Sequence, residues 1–495
     1  MSNTGALESA RERGRAWIAE HTAALPIRDP YSGAAQVARR ELGLPAAIDE
    51  LLEFWATQVE GCSGELRRYP WLVSYRRWIN PPAYAGAADT WRSWRAAERQ
   101  LDEAGKLSYW MGVPLIVCHN GELLEERAAA GHPVARDLLD MFAPVMRKDF
   151  AQYIVAEHPW TDTFALWCLS RSPLTFHRLQ PIALALASTF AAGAAKAGHV
   201  AGNGFPYHDV PLPSASAHLA GSLLSLGIET TLIAALMEFL TRTCRASGGW
   251  GDGEDPEDAL TTFVAADLLG SIDPDHDTMR GAAFLLAHQQ LNGAWRALGP
   301  EMPWLTGEIV RWLAQVEAPF YRRFRWPRLS DSNVDSKTRL PGYGYFRSYQ
   351  ELCAGLPGLS RSEMDMAFLD LAGFKTFNDR FGQDMGDEVI VLLAQALSDI
   401  PDARAIRDGG DEFLIVGAPT DRGLEERLRA FTRGWPAIFQ KRFGADAPVV
   451  APRIALGAGT GGNLRDLREK LGRSITQLKR EAPKPEPSGI LKRMF

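Results

Sequence analysis

Residues 405–416 read AIRDGGDEFLIV, two apolar runs separated by Asp-Gly-Gly-Asp-Glu. Glycine supplies the positive φ of a tight turn, so Gly409 and Gly410 between β-rich runs predict a hairpin. A plain turn needs no Asp411 and Glu412 beside it. A second apolar run, MAFLDL (366–371), predicts a strand that ends in another acid, Asp370. Acids gathered at one sheet rim repel unless a cation or an arginine sits among them. A few hard oxygen ligands, leaving room for waters and phosphates, describe a Mg²⁺–nucleotide site. The plainer alternative is a solvated turn near a strand-end Asp.

Three segments occur in order around this hairpin: VDSKTRLPGYGYF (334–346), FLDLAGFKTFNDRFGQDMGDEVI (368–390) and RDGGDEFLIV (407–416). Together they resemble the GGDEF family of diguanylate cyclases over roughly residues 330–482. The pentapeptide Gly409–Phe413 and the spaced F-K-x-x-N-D-x-x-G-x-x-x-G-D pattern are intact.

The resemblance implies an α+β, nucleotidyl-cyclase-like domain and a set of roles. Asp370, Asp411 and the carbonyl of Leu371 would hold Mg²⁺ (or Mn²⁺) on the GTP phosphates. Gly373 and Phe374 would cradle phosphate through their N–H groups, as a turn entering a helix does. Lys375 would neutralise charge at the reacting phosphorus. Asn378 and Asp387 would read guanine, and Lys479 would bind phosphate. Glu412 is an additional acid for a second ion or for deprotonating the 3′-hydroxyl. The reaction would join two GTP into cyclic di-GMP with release of two pyrophosphates, across a homodimer. For Asn378 the plainer reading is a helix cap, and for Lys479 a solvated helix residue.

Several positions depart from the family pattern. Ala372 replaces a common second acid, Asp408 adds negative charge before the glycines, and Pro483 stands where an arginine is expected. The Arg-x-x-Asp pattern of product inhibition would fall at Ile400 and Ala403 and is therefore missing. These departures leave open a catalytically weak domain that binds GTP as a regulatory module.

The chain has 495 residues, too many for one ordinary core. A net charge of −6 argues against nucleic acid as a bulk partner. Five scattered cysteines (62, 118, 168, 244 and 353) without a CxxC fit a reducing cytoplasm. The opening MSNTGALESARERGRAW does not read as a secretory signal. The most apolar stretch, from Pro181, falls short of the roughly 20 residues that span a bilayer and reads as a buried helix.

Up to about residue 317 the sequence predicts helices, and from Pro213 it repeats. Prolines at 213, 256 and 303 and tryptophans at 250 and 295 recur about every 45 residues. Proline suits the first turn of a helix and glycine its exit, so each unit reads as a helix hairpin that buries apolar faces on its neighbours. At that length the first 317 residues would hold six or seven hairpins, enough to close a ring. GGWGD (248–252) and QQLNGAW (289–295) resemble the Q-x-x-x-G-x-W repeats of the α/α-toroid superfamily of terpenoid cyclases and prenyltransferase β-subunits.

The resemblance implies an all-α toroid that regulates the second domain by binding a lipid or isoprenoid or by docking a protein partner. A terpene-cyclase-like activity would use DPEDAL (255–260), otherwise an acidic first helical turn. Zinc as in prenyltransferases lacks a partner pattern for Cys244 and His288. The expected organisation is an α-helical domain over 1–317, a basic aromatic linker over 318–333, the cyclase domain over 334–482 and a disordered tail over 483–495.

Overall fold

In the computed structural model the chain divides into two units, residues 1–319 with 325–331, and residues 320–324 with 332–495. The structure describes residues 3–23, 30–51, 190–202, 209–228, 230–296, 301–327 and 333–481, with isolated positions between 127 and 188. Most of the stretch expected to hold the earlier hairpins, and the tail with Pro483, lie outside the described residues. The expected linker contains a short helix, Phe320–Arg323, which belongs to the second unit.

The described part of the first unit is helical. Numbered among the described residues, its helices are α1 (Asn3–His21), α2 (Pro30–Glu41), α3 (Pro213–Leu226), α4 (Thr230–Thr243), α5 (Ala259–Ile272), α6 (Thr278–Ala287) and α7 (Pro303–Leu313). Helices α3 and α4 pack as a hairpin, as do α5 and α6. Pro213 and Pro303 sit in the first turns of α3 and α7, where the missing N–H costs nothing. Pro256 does not take the expected place. Helix α5 starts at Ala259, because Asp258 caps it by accepting from Thr261 N at 2.9 Å and Thr261 Oγ1 at 2.6 Å.

The two copies of the repeat share one construction. Trp250 Nε1 donates to the Leu240 carbonyl and Trp295 Nε1 to the Leu285 carbonyl. Each tryptophan N–H donates to a threonine hydroxyl on the following helix, Thr262 and Thr306, at 3.0 Å. Both indoles are fully buried, so these bonds satisfy donors that would otherwise be costly. Gly248, with φ 90°, lies so close to Arg280 on α6 that a Cβ would fall 2.4 Å from its carbonyl oxygen. Gly293, with φ 99°, bears the same relation to Arg13 on α1. Helix α1 thus holds the place beside the second copy that α6 holds beside the first. It also packs on α7 and α2.

The second unit continues with α8 (Phe320–Arg323), α9 (Tyr343–Gly355), α10 (Pro357–Arg361), β1 (Glu363–Leu371), α11 (Phe374–Phe381), α12 (Gln383–Ser398), β2 (Ala403–Gly409), β3 (Glu412–Gly417), α13 (Leu424–Phe443), β4 (Pro452–Thr460) and α14 (Leu464–Glu481). The strands form an antiparallel sheet in the order β2-β3-β1-β4. Helix α12, expected over 387–397, starts four residues earlier, after Gly382 at φ 89°. Strand β4 starts at Pro452, later than the apolar run from Val449 implies.

Strand alternation sorts the side chains onto two faces. Ala367, Leu369, Leu371, Phe413 and Ile415 join the core beneath α12 and α13. The intervening residues face the other way, and that face includes Asp370 and Glu412, beside α14.

Candidate active site

Asp370 is the next-to-last residue of β1, and its side chain is only 2% exposed. Across the sheet its partner on β3 is Glu412 and its partner on β4 is Arg453. A carboxylate placed opposite a carboxylate is unfavourable unless a cation offsets it. Two cations do so here. Lys479 Nζ, from α14, lies 2.6 Å from Asp370 Oδ1 and 3.1 Å from Glu412 Oε1. Arg453 donates to Asp370 Oδ2 at 3.3 Å. Burial raises the Asp411 carboxyl above its usual range, and the charge of Asp370 raises it further. Burial lowers Lys479, but its bonds to Asp370 and Glu412 outweigh that and hold it above its ordinary value. The sequence-derived acids therefore converge, and Lys479 meets two of them.

The hairpin tip is held from two sides. Arg407 donates to the Gly410 carbonyl through Nε at 3.2 Å and Nη2 at 2.8 Å, and to Asp335 Oδ1 through Nη1 at 2.8 Å. Asp335 also accepts from Thr338 N and Oγ1. Burial would raise the Asp335 carboxyl, but the bonds from Arg407 and Thr338 leave it below its ordinary value. On the other side Arg468 of α14 grips Asp408 with two bonds, at 2.9 and 2.6 Å, and its guanidinium lies 4.6 Å from the Tyr343 ring centroid. Asp408 therefore does not act as free negative charge beside the acids, because a bidentate arginine offsets it.

Gly373 precedes the first turn of α11 at φ 73°, and Lys375 is exposed on that turn. Ala372, in the position of the absent second acid, gives its N–H to the Ala451 carbonyl. In the second turn of α11, Asn378 rests against Gly386. A Cβ at position 386 would fall 1.8 Å from Asn378 Oδ1, and that oxygen is buried without a hydrogen bond. Asp387, the next residue, pairs with Lys337 at 2.5 Å.

Sequence reasoning did not find Arg453, Arg468, Arg407, Asp335, Gly386 or Lys337 as parts of this site. Arg453 becomes visible only through the β1–β4 register. Asp335 and Lys337 lay inside the quoted 334–346 segment, but their partners are 72 and 50 residues away in sequence.

No group of three or more His, Cys, Asp or Glu side chains that could hold a metal occurs among the described residues. Two carboxylates and a carbonyl still suit Mg²⁺, which keeps waters and takes substrate oxygens. The fit rests on Asp411, whose carboxyl burial and the charge of Asp370 hold above its usual range, a cost that a shared cation offsets. In the first unit the DPEDAL acids have structural partners: Asp258 caps α5, and Glu257 accepts from Ser247. His288 stacks on Phe284 with ring centroids 3.9 Å apart.

Residues 332–461 match the model of the family described as diguanylate cyclase, GGDEF domain. The second unit carries a GGDEF domain. Among curated relatives, diguanylate cyclase DgcP of Escherichia coli is 33% identical over 115 residues, 21% of this chain and 33% of that protein. Diguanylate cyclase TpbB of Pseudomonas aeruginosa is 29% identical over 142 residues, 26% of this chain and 29% of that protein. The chain thus spans about a third of the length of these relatives. Among solved structures, the coiled coil and GGDEF domain of DgcB from Caulobacter crescentus, in complex with c-di-GMP, is 22% identical. It covers 31% of this chain and 83% of that one, with a TM-score of 0.27. Diguanylate cyclase SiaD of Pseudomonas aeruginosa, in complex with its activator SiaC, is 26% identical, covering 30% and 59%, with a TM-score of 0.26. No helix among the described residues is long and apolar enough to cross a membrane.

Proposed function

We propose that the GGDEF domain, over about residues 334–482, is a diguanylate cyclase that condenses two GTP into cyclic di-GMP and two pyrophosphates across a homodimer. The observation that carries this reading is the cross-strand row of Glu412, Asp370 and Arg453 beneath Lys479. A folded rim that sets a buried carboxylate against another is costly, and a ligand that brings cations and phosphates gives it a use.

Asp370, Asp411 and the Leu371 carbonyl would hold Mg²⁺, which supplies charge neutralisation on the phosphates when bound. Gly373 and Phe374 would hold the phosphates through N–H groups, and Lys375 would offset charge developing at the α-phosphorus. Asn378 and Asp387 would orient the guanine. Lys479 would turn its ammonium from Asp370 to phosphate oxygen. The 3′-oxygen of one GTP forms a bond to the α-phosphorus of the other as the α–β anhydride bond breaks, and pyrophosphate leaves. The hydroxyl proton passes to Glu412. The same step in reverse orientation closes the ring, so two domains must face each other and positioning does most of the work.

The first unit would act as an α/α-toroid that regulates the cyclase in a cytoplasmic protein, its ligand a lipid or isoprenoid. Support comes from the repeated Trp–Thr junctions and from α1 taking the place of a further repeat helix beside the second copy. Incubation of the full chain with Mg²⁺ and GTP tests the cyclase reading. Cyclic di-GMP is the expected product. GTP binding without product would leave a regulatory GTP-binding module instead.

A further inference from the structure

Folding explains little of the contact that Lys337 makes with Asp387. The lysine side chain is 38% exposed and that of its partner Asp387 is 46% exposed, and an ion pair this wet contributes little to stability. The backbone that presents it is nonetheless firmly built. Asp335, two residues before Lys337, accepts from Thr338, one residue after it, Asp335 N donates to the Leu340 carbonyl, and Arg407 ties Asp335 to the hairpin. A pinned loop thus delivers a half-exposed cation to one carboxylate.

Gly386, the residue before Asp387, lies against Asn378 Oδ1, a buried acceptor without a donor, and the close approach is possible because residue 386 has no Cβ. The Lys337–Asp387 pair presents two acceptors, the oxygens of the Asp387 carboxylate, and one donor, Lys337 Nζ. The hydrogen-bonding edge of guanine offers the complement: N1–H and the 2-amino group donate, and O6 accepts. Adenine offers a single donor group on that edge and turns a C–H toward the second acceptor. A site that leaves a buried polar group without a partner rejects such an analogue.

We propose that Lys337 is a specificity-determining residue of the base site, donating to O6 of guanine while Asp387 takes N1–H and the 2-amino group. This rests on the reading of the domain as a GTP site and goes beyond it by assigning the O6 contact. Because the Lys337 loop is tied through Asp335 and Arg407 to the Gly410 carbonyl, the base contact and the hairpin tip share one set of bonds.

The test is displacement of a fluorescent GTP analogue from the full chain by GTP, 6-thio-GTP and ITP. 6-Thio-GTP keeps N1–H and the 2-amino group but weakens the acceptor at position 6, whereas ITP lacks only the 2-amino group. Wild type is expected to prefer GTP over both. Lys337→Met should lower GTP affinity about tenfold, the effect of one charge-assisted bond discounted for exposure, and abolish the preference over 6-thio-GTP. Its preference over ITP should persist, and Lys337→Arg should restore most of the loss. Lys337→Met binding GTP as tightly as wild type, or more tightly, would overturn the assignment, as would an unchanged preference over 6-thio-GTP. Failure of GTP to displace the probe from wild type would instead sink the GTP site itself.

Discussion

Lys479 Nζ sits 2.6 Å from Asp370 Oδ1, so the last helix of the GGDEF domain supplies the cation that its strand-end acid requires. Arg453 lies on the other carboxylate oxygen at 3.3 Å, but its side chain is 27% exposed and it does not touch Glu412 in this arrangement. Among the described residues, Lys479 is the cation that bridges both acids. Lys479→Met should therefore destabilise the ligand-free domain by about 1–2 kcal/mol, less than a fully buried pair because the lysine is partly exposed. Mg²⁺ should restore part of that loss by taking over the same charge. Turnover should fall about tenfold to a hundredfold if the ammonium is also needed on phosphate. Thermal unfolding with and without Mg²⁺, beside a cyclic di-GMP assay, checks both. A variant as stable as wild type without metal would count against this account of the acid row.

Burial and the charge of Asp370 push the Asp411 carboxyl upward, so its charge is costly in the folded site. Asp411→Ala should abolish cyclic di-GMP formation while leaving the domain folded and no less stable, because the substitution removes an unfavourable charge. Asp370→Ala should abolish turnover as well, but it strands Lys479 and Arg453 without their shared carboxylate. Comparing unfolding temperatures of the two variants separates the cases: Asp370→Ala should lie below Asp411→Ala.

Gly386 owes its identity to a close approach, and its substitution makes a sharp test of the base site. A Cβ there would overlap Asn378 Oδ1 at 1.8 Å, far inside contact distance. Gly386→Ala should push the Asn378 side chain away and weaken GTP binding by at least about tenfold, because the buried acceptor is misplaced. Alanine suits a helix interior better than glycine, so α12 itself should survive. Binding measured by calorimetry, with far-UV circular dichroism as the folding control, decides it. Undiminished GTP affinity would remove Asn378 from the base site.

The strands and the acids of the second unit were legible because period-2 alternation and a glycine turn are local signals. MAFLDL fell within β1, and Asp370 and Glu412 came out as cross-strand partners. What escaped were the cations. Arg453 depends on the register of β4, Arg468 on the rotation of α14 against the sheet, and Lys337 on a loop closed by Asp335, while Lys479 was expected on phosphate but not on Asp370 and Glu412. Those are tertiary settings that no short window encodes. The same reason explains Asp408, which reads as loose charge in sequence and is matched by Arg468 60 residues away. In the first unit the Trp–Gly periodicity was visible. The docking of α1 beside Gly293 was not, because it joins residues 280 apart in sequence.

His218 gives the first unit an acid limit. It lies on α3, wholly buried, with its ring 5.7 Å from that of Trp167, and burial lowers its imidazole from 6.5 to about 3. A base whose folded pKa lies below its unfolded one binds fewer protons when folded. Its share of stability is therefore complete above pH 6.5 and is lost as pH falls from there toward 3. The slope for such a group reaches about 1.4 kcal/mol per pH unit. Unfolding of the full chain, followed by the fluorescence of tryptophans concentrated in the first unit, should show a midpoint that falls steadily below pH 6.5. His218→Gln, which cannot titrate, should start lower at neutral pH but lose less on acidification, so the two curves draw together as pH falls. Parallel curves across that range would show that the acid sensitivity lies elsewhere.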